Sequence, residues 1–494
     1  MTVRSADYIV VGAGSAGSIV AARLADAGAS VILVEAGGTD RRPDVRLPFG
    51  VASLFATANW RYPTAPDPSR AGADGPFAGG RIVGGSGSIN AMVFVRGRPS
   101  DYDRWAEMGA TGWDFAGVLP HFKALERWIA GPDDYRGGTG PIDVSWCGHR
   151  HILDDAFIDA SVEAGHSHNP DQNGRTQLGV ARCQVNQRRG LRCSSAHGYL
   201  HRVPRHQALQ LFTRTQATRV LLEAGRAVGV ECGNDVLRAR QEVILCAGTI
   251  GSAALLLRSG IDRPGVGENF HDHLSVPQGW ETSVPTVNTM GPVRAGRALA
   301  SLVRTGTGAL TTTPFEAQLF TLEHQIAITP VYYALDQRGR LKLPRVNAFT
   351  VYTVVLQPEA RGRVRLRGDR PQVEFPRLSR EHDVRRLLAG AALTREIVEG
   401  QPAMRALVGN RLDRDGDPTD PGWLTTRESS VFHAVGTCRM GVDDRAVVDP
   451  HLRVHGVDGL RVIDASVMPT ITAGNTNAPT MMIAHRGAEL VLQR

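Results

Sequence analysis

The chain has 494 residues, of which 42% are hydrophobic, and 56 basic residues against 49 acidic ones give a formal net charge of +7. A chain of this size buries a large core and calls for two or more domains. No apolar run reaches the eighteen or so residues that a membrane-spanning helix needs. Of the basic residues 54 are Arg, scattered along the whole chain without a dense basic run interleaved with aromatics. That distribution argues for a solvated surface and against nucleic acid as a partner. Six cysteines (Cys147, Cys183, Cys193, Cys232, Cys246 and Cys438) include no C-x-x-C pair, so neither a zinc site nor a disulfide framework is expected and no metal is indicated.

The first element is an apolar run rich in β-formers, Tyr8-Ile9-Val10-Val11, which stops at Gly12-Ala-Gly14-Ser15-Ala16-Gly17 before a helix-favouring stretch from Ile19 to Ala27. This is a strand, tight turn and helix of the dinucleotide-binding kind. Gly12 permits the turn, Gly14 removes a Cβ that would block a pyrophosphate, and Gly17 lets helix and strand pack closely. The diphosphate then meets free amide N–H groups at the positive end of the helix dipole. A second strand, Ser30 to Val34, ends in Glu35, 23 residues after Gly12, where a carboxylate accepts both ribose hydroxyls and repels a 2′-phosphate. Because the first strand starts within about seven residues of Met1, no cleavable signal peptide is expected and a cytoplasmic location is anticipated.

From Thr39 to Gly80 the sequence is rich in Pro, Gly, Asp and Arg, and a loop of that length is expected to cover something. A second glycine-rich stretch, GGRIVGGSGSINAMVFVRG, runs from Gly79 to Gly97. Residues 101–127 read as helical, followed by a mixed region to about His206. Ala217 to Val230 reads as a hairpin around Glu223-Ala-Gly225. Glu242 to Gly248 reads as a buried strand ending in glycine, with a helix from Thr249 to Arg258. Between Ser275 and Glu428, strand-like runs (Ala327–Tyr333, Val346–Leu356, Arg363–Leu366) alternate with polar turns and precede a helix at Glu381–Glu399, which predicts an antiparallel sheet with helices. Leu460 to Asp464 is a further strand with an acidic end, and Ala478 to Leu492 a C-terminal helix. The fold class is therefore α/β, or α+β overall: a Rossmann-like domain assembled from 1–100, 207–274 and 429–494, and a substrate domain with connecting segments from 101–206 and 275–428.

Five ordered blocks resemble the glucose-methanol-choline (GMC) oxidoreductases, FAD-dependent enzymes that oxidise alcohols. The blocks are Gly79–Gly97 continuing to Asp103; Ala247-Gly248 through Ile261; Pro264 through Asn269, Asp272 and His273; His433-Ala-Val-Gly-Thr-Cys-Arg-Met-Gly441; and Arg461–Thr470 completed by Gly474–Thr480. The resemblance implies a glucose oxidase-like fold and bound FAD. It places the cofactor at Gly12, Gly14, Ser15, Ala16, Gly17, Glu35 and Ala36, then at Trp60, Arg81, Gly84, Gly85, Ser86, Gly87, Asn90, Ala91, Met92 and Val93. Val220, Ala247, Gly248, Asp464, Ala465, Asn475, Thr476 and Asn477 complete that set. A flat, rigid flavin ring explains the second loop physically, because glycine lets backbone approach one face of it.

Alcohol oxidation needs a group to take the hydroxyl proton, and a neutral imidazole suits that role. The resemblance assigns it to His433, with Asn475, 42 residues later, donating a hydrogen bond to the developing alkoxide; Asn477 could exchange roles with Asn475. For Asp464, contact with the ribityl-diphosphate chain and helix capping both stand as readings. Ile89 occupies the position where some relatives carry a histidine bonded to FAD, so non-covalent FAD is expected. Asp262-Arg263 alone separate Ile261 from Pro264, and Ser252 stands where a proline is usual. The expected partners are a small-molecule alcohol and an electron acceptor, O₂ or a quinone-like carrier. Alternative activities are a redox partner passing electrons for another enzyme and a non-redox lyase of the hydroxynitrile type. Trp280, Phe315, Phe320, Tyr332, Tyr333, Phe349 and Tyr352 are each expected in the core.

Overall fold

The computed structural model describes residues 3–203, 208–335, 341–412 and 419–493; the expected segment boundary at 206 and 207 falls outside them. β1, Val3–Val11, lies at the centre of a seven-stranded sheet. It pairs in parallel with β2, Val31–Val34, on one side and with Asp235–Leu245 on the other. Leu209–Phe212 extends the sheet beyond β2, and Leu460–Val462 pairs in parallel with Asp235–Leu245. Ile9 and Val10 are wholly buried, as expected for a parallel strand covered on both faces. The helix α1, Gly17–Asp26, follows the first glycine turn. The expected hairpin is present as Arg219–Glu223 and Arg226–Cys232, antiparallel at the sheet's edge.

A second seven-stranded sheet is antiparallel, in the order Val408–Arg411, Leu274–Thr282, Ala348–Val355, His324–Thr329, Ala317–Phe320 and Gly179–Arg182, with Ser429–Ser430 joining Leu274–Thr282. Side chains alternate across it. One face, with Trp280, Phe349, Val351, Ile326 and Ile328, packs on the helix Ile152–Glu163 and on Ile397 and Val398. The opposite face carries Pro277, Gln325, Ala327, Tyr352 and Val354, all of which border a large cavity.

Three expectations need correcting. The run Ala327–Tyr333 is not one strand, because pairing ends at Thr329, before Pro330, which has no N–H to give to the ladder. Arg363–Leu366 does not join the second sheet; Arg363–Arg367 folds back on Arg370–Glu374 as a separate hairpin against the helix Gly248–Arg258. Residues 101–127 form two helices, Pro99–Glu107 and Phe115–Leu125, and the second packs on the C-terminal helix Asn477–Leu492 rather than on the antiparallel sheet. Among the described residues, no helix is long and apolar enough to cross a membrane.

Candidate active site

One cavity of about 1660 Å³ runs from the carboxyl ends of β1 and β2 to the exposed face of the antiparallel sheet. At its first end the two glycine-rich loops touch backbone to backbone. A Cβ on Gly85 would stand 2.7 Å from the Gly14 Cα, and one on Gly17 would stand 1.8 Å from the Gly12 carbonyl. A Cβ on Gly14 would meet nothing closer than 3.9 Å, so this residue opens onto the cavity, where Gly12, Ser15 and Ala16 also lie. In the first turn of α1 the Ser18 and Ile19 N–H groups are bonded to the Gly14 and Ala16 carbonyls at 3.1 and 2.9 Å, so the amides left to the cavity are those of Ser15 and Ala16, in the turn that leads into the helix.

Glu35 is 5% exposed. One carboxylate oxygen accepts the Ala13 N–H at 3.0 Å and the other the Gly37 N–H at 2.7 Å. Burial nevertheless pushes its pKa up to about 7, and each oxygen keeps a lone pair for a donor from the cavity. Ala36, Trp60 and Arg81 border the same end, the Arg81 guanidinium 4.8 Å from the centre of the Trp60 ring.

The middle of the cavity is bordered by Gly85, Ser86, Asn90, Ala91, Met92, Val93, Ala247, Gly248, Asp464, Ala465, Thr476 and Asn477. Met92 adopts φ 63°, an unusual conformation for a side chain of that size, and its side chain is buried against Cys147, Cys183 and Val185. Asp464 is 2% exposed and commits both oxygens to protein: one accepts Gly248 N–H at 2.8 Å and the Ser252 hydroxyl at 2.6 Å, the other Ser466 N–H at 2.8 Å. The capping reading therefore describes its bonds. The Ser252 hydroxyl, in the region where a proline is usual, adds a second bond to the one from Gly248 N–H that joins the strand-end acid to the helix Gly248–Arg258.

Four residues named from the sequence do not border the cavity. Gly17 serves its own turn, close against the Gly12 carbonyl and Cys246, while Gly84 and Gly87 serve the packing of loop on loop: Gly84 N–H donates to the Ala13 carbonyl at 2.6 Å, and a Cβ on Gly87 would crowd the Ser15 hydroxyl at 2.7 Å. In the second loop, Gly85 and Gly87 are required by the neighbouring loop, whereas Gly80 and Gly84 are required by contacts within their own loop, to Gly85 and to Ser88. Val220 is 1% exposed in the edge hairpin, its N–H bonded to the Ser259 hydroxyl at 2.8 Å. Thr215, Gln216 and Ala217, just before that strand, border the cavity instead.

At the far end His433 and Asn475 come together, with Asn475 Nδ2 3.2 Å from His433 Nε2. Asn477 points elsewhere, its Oδ1 accepting the Ser15 hydroxyl at 2.7 Å. His433 Nδ1 lies 2.9 Å from His273 Nδ1, and His273 Nε2 lies 3.1 Å from the Thr472 carbonyl. The carbonyl only accepts, so His273 carries its proton on Nε2 and accepts on Nδ1. His433 must then donate from Nδ1, which leaves the lone pair on Nε2, facing the cavity and Asn475. The amide end is fixed likewise. Asn475 Oδ1 accepts Gln325 Nε2 at 3.2 Å; Gln325 also donates to Gln318 Oε1 at 2.8 Å, and Gln318 to Gln172 Oε1 at 2.9 Å.

The His433 main chain is pinned as well, its N–H bonded to Asp272 Oδ1 at 2.7 Å while Ser430 holds the other oxygen. Burial raises Asp272 to about 6 and lowers the His433 imidazole to about 4, with His273 pushed well below the ordinary histidine range. His273, His433 and Asn475 are therefore neutral at neutral pH, and Asp272, which holds the His433 main chain, is mostly ionised. Sequence reasoning quoted Asp272 and His273 only as part of a block and missed Gln325. The alternation of Phe270-His271-Asp272-His273 into the strand Leu274–Thr282 was the available signal for His273, because it puts both histidines on one side.

Of the seven aromatics expected in the core, Trp280, Phe320 and Phe349 are buried there. Phe315, Tyr332, Tyr333 and Tyr352 border the cavity instead, and Phe315 and Tyr352 pack edge to face with centroids 5.2 Å apart.

Two family models described as GMC oxidoreductase match residues 6–275 and 358–484. The chain belongs to the GMC oxidoreductases. It is 36% identical, over 99% of its length and 94% of the relative, to an oxygen-dependent choline dehydrogenase of Vibrio vulnificus. Among solved structures it resembles pyridoxine 4-oxidase from Mesorbium loti, with a TM-score of 0.88 at 27% identity over 99% of each chain. It also shares the fold of formate oxidase, with a TM-score of 0.90 at 21% identity over 100% of this chain and 99% of that one. GMC oxidoreductases bind FAD. The residues here fit such a group: a buried carboxylate with free lone pairs at Glu35, the Ser15 and Ala16 amides open beside Gly14, and a glycine-lined passage to an imidazole.

Proposed function

We propose that this GMC oxidoreductase oxidises a small-molecule alcohol to an aldehyde or ketone with non-covalently held FAD. The observation that carries this reading is the tautomer lock on His433, which leaves an unprotonated Nε2 beside an amide donor in a cavity whose other end carries Glu35 and the Ser15 and Ala16 amides. Glu35 accepts the ribose hydroxyls, and the Ser15 and Ala16 amides at the start of α1 face the diphosphate. When bound, FAD supplies the acceptor for the two electrons and the hydrogen that leave the carbinol carbon.

The protein's part is the proton. An alcohol hydroxyl placed between His433 and Asn475 donates to His433 Nε2, which takes the proton as the carbon is oxidised. Asn475 Nδ2, aimed by Gln325, donates to the alcohol oxygen and stabilises the negative charge that develops on it. The charge gained by His433 is met through His273 by the Thr472 carbonyl. Phe315, Tyr332, Tyr333 and Tyr352 exclude water and supply flat surfaces for the substrate. Non-covalent attachment is supported by Ile89, a non-nucleophilic side chain buried against Val45, Leu54, Ala58 and Ile82. O₂ or a quinone-like carrier takes the electrons onward.

The test is anaerobic mixing of the purified flavoprotein with aromatic, aliphatic, sugar and amino alcohols, pyridoxine and choline among them, followed by turnover with O₂ and with an artificial dye. Bleaching of the flavin by at least one alcohol is expected. A flavin that no alcohol reduces overturns the reading, and aldehyde release without bleaching moves it to a lyase.

A further inference from the structure

Outside the active-site cavity, the sequence His197-Gly-Tyr-Leu-His201 places two imidazoles four residues apart, and Asp40 comes to meet them from the segment that follows β2. We propose that Asp40, His197 and His201 form a binding site for a borderline divalent cation such as zinc, which clamps the start of the 39–80 segment over the nucleotide end of the cavity.

Geometry carries the assignment. One ligand atom from each of the three residues lies within 4.8 Å of the others. His201 Nε2 stands 2.8 and 3.0 Å from the two Asp40 oxygens, and the two imidazoles meet edge to face at 5.7 Å. Two donors each about 2.0 to 2.1 Å from a tetrahedral zinc lie roughly 3.3 Å apart, so a cation between Asp40 and His201 needs only a few tenths of an ångström of movement. Asp40 is 4% exposed, whereas the His201 side chain is 25% exposed, which leaves an entry path and room for water as a further ligand. The His197 ring makes no hydrogen bond among the described residues; its main-chain N–H alone is held, by the Ser194 hydroxyl at 3.4 Å. Two histidines at this spacing with one carboxylate is a recurrent donor set for zinc and neighbouring metals.

The surroundings oppose a cation in one respect. Arg46 is close enough to act on His197 electrostatically, but it donates to the Arg192 carbonyl at 3.1 Å, and Arg202 donates to the Pro141 carbonyl at 3.0 Å. Arg46 also acts electrostatically on Asp40, but among the described residues neither guanidinium is bonded to its carboxylate. The clamp reaches the cofactor end through short links. The Ser195 hydroxyl lies 3.5 Å from the Gly14 carbonyl, and the Gly38 carbonyl, two residues before Asp40, accepts Val83 N–H of the second glycine loop at 3.0 Å.

A plain Asp40–His201 ion pair is the competing account, and it gives His197 no role. Purified FAD-loaded full chain is stripped with a chelator, equilibrated with Zn²⁺ alone by dialysis, and its metal content measured. One zinc per chain is expected, with a rise of several degrees in Tm because the metal binds only the folded state. His197→Asn, which leaves the ion pair intact, is expected to lower zinc affinity tenfold or more and to remove the Tm rise while flavin content is unchanged. Arg46→Gln is expected to tighten binding several-fold. Zinc retention that is absent from the wild type, or equal in wild type and His197→Asn, overturns the proposal. So does a Tm that zinc raises alike in both. Because metal content is read directly, failure here is distinct from failure of alcohol oxidation.

Discussion

The two ends of the cavity are built in opposite ways. At the Glu35 end two stretches of chain, 12–37 and 79–93, meet, and what they offer is largely backbone: the turn amides at Ser15 and Ala16, glycine approaches, and a carboxylate tied to Ala13 and Gly37 N–H. At the His433 end the groups come from four distant places, Asp272 and His273, Gln325, His433, and Asn475, and what they offer is side chains whose protons are ordered by one another. Recognition by backbone tolerates exchange of side chains that point away. A relay of neutral imidazoles and amides does not, because each member fixes the donor or acceptor role of the next.

The largest expected effect separates the two ends outright. His433→Ala should lower turnover by about 10² or more while FAD stays bound; near-normal turnover would remove the base assignment. Glu35→Ala should do the reverse, weakening FAD by about 10 to 100-fold through loss of hydrogen bonds to a charged group while the flavin fraction that remains keeps its kcat. Apo/holo titration with FAD reads this, and an unchanged Kd would detach Glu35 from the ribose.

Smaller effects sharpen the account of the relay. His273 acts as a positioning residue, so His273→Leu should cut kcat by about tenfold and leave KM nearly unchanged. His273→Gln, whose amide can still accept from His433, should recover part of the loss, whereas a merely structural role predicts equal damage from both. The lowered His433 value has a direct sign: only neutral imidazole takes the proton, so the acid limb of kcat/KM should lie near pH 4 rather than at the usual histidine value of about 6.5. A limb at 6 or above would show that burial does not control this group. Least of all, Tyr352→Leu should raise KM several-fold for aromatic alcohols and little for small aliphatic ones.

How far each end was legible follows from the same contrast. The first strand, the glycine turn, α1 and Glu35 are readable because local spacing alone forces strand, turn and helix, and the hairpin at Glu223–Gly225 and the long helices follow from periodicity. The run Ala327–Tyr333 misled because composition does not say where a partner strand stops. Arg363–Leu366 misled because its alternation cannot say which sheet it joins. Val220 was misplaced since the turn before it, Thr215–Ala217, is what reaches the cavity. His433 and Asn475 were found through the resemblance, not through any local pattern, and the aromatics were misjudged because a tyrosine on a sheet looks the same from either face.

The sequence by itself determined the chain's backbone-made features and its family, because those rest on residues within a few positions of one another. Tertiary structure alone decided which nitrogen of His433 is free, which of two asparagines stands beside it, and which face of the antiparallel sheet borders the cavity. Proton position is set by the neighbours in space, and these are supplied by strands and loops up to hundreds of residues apart.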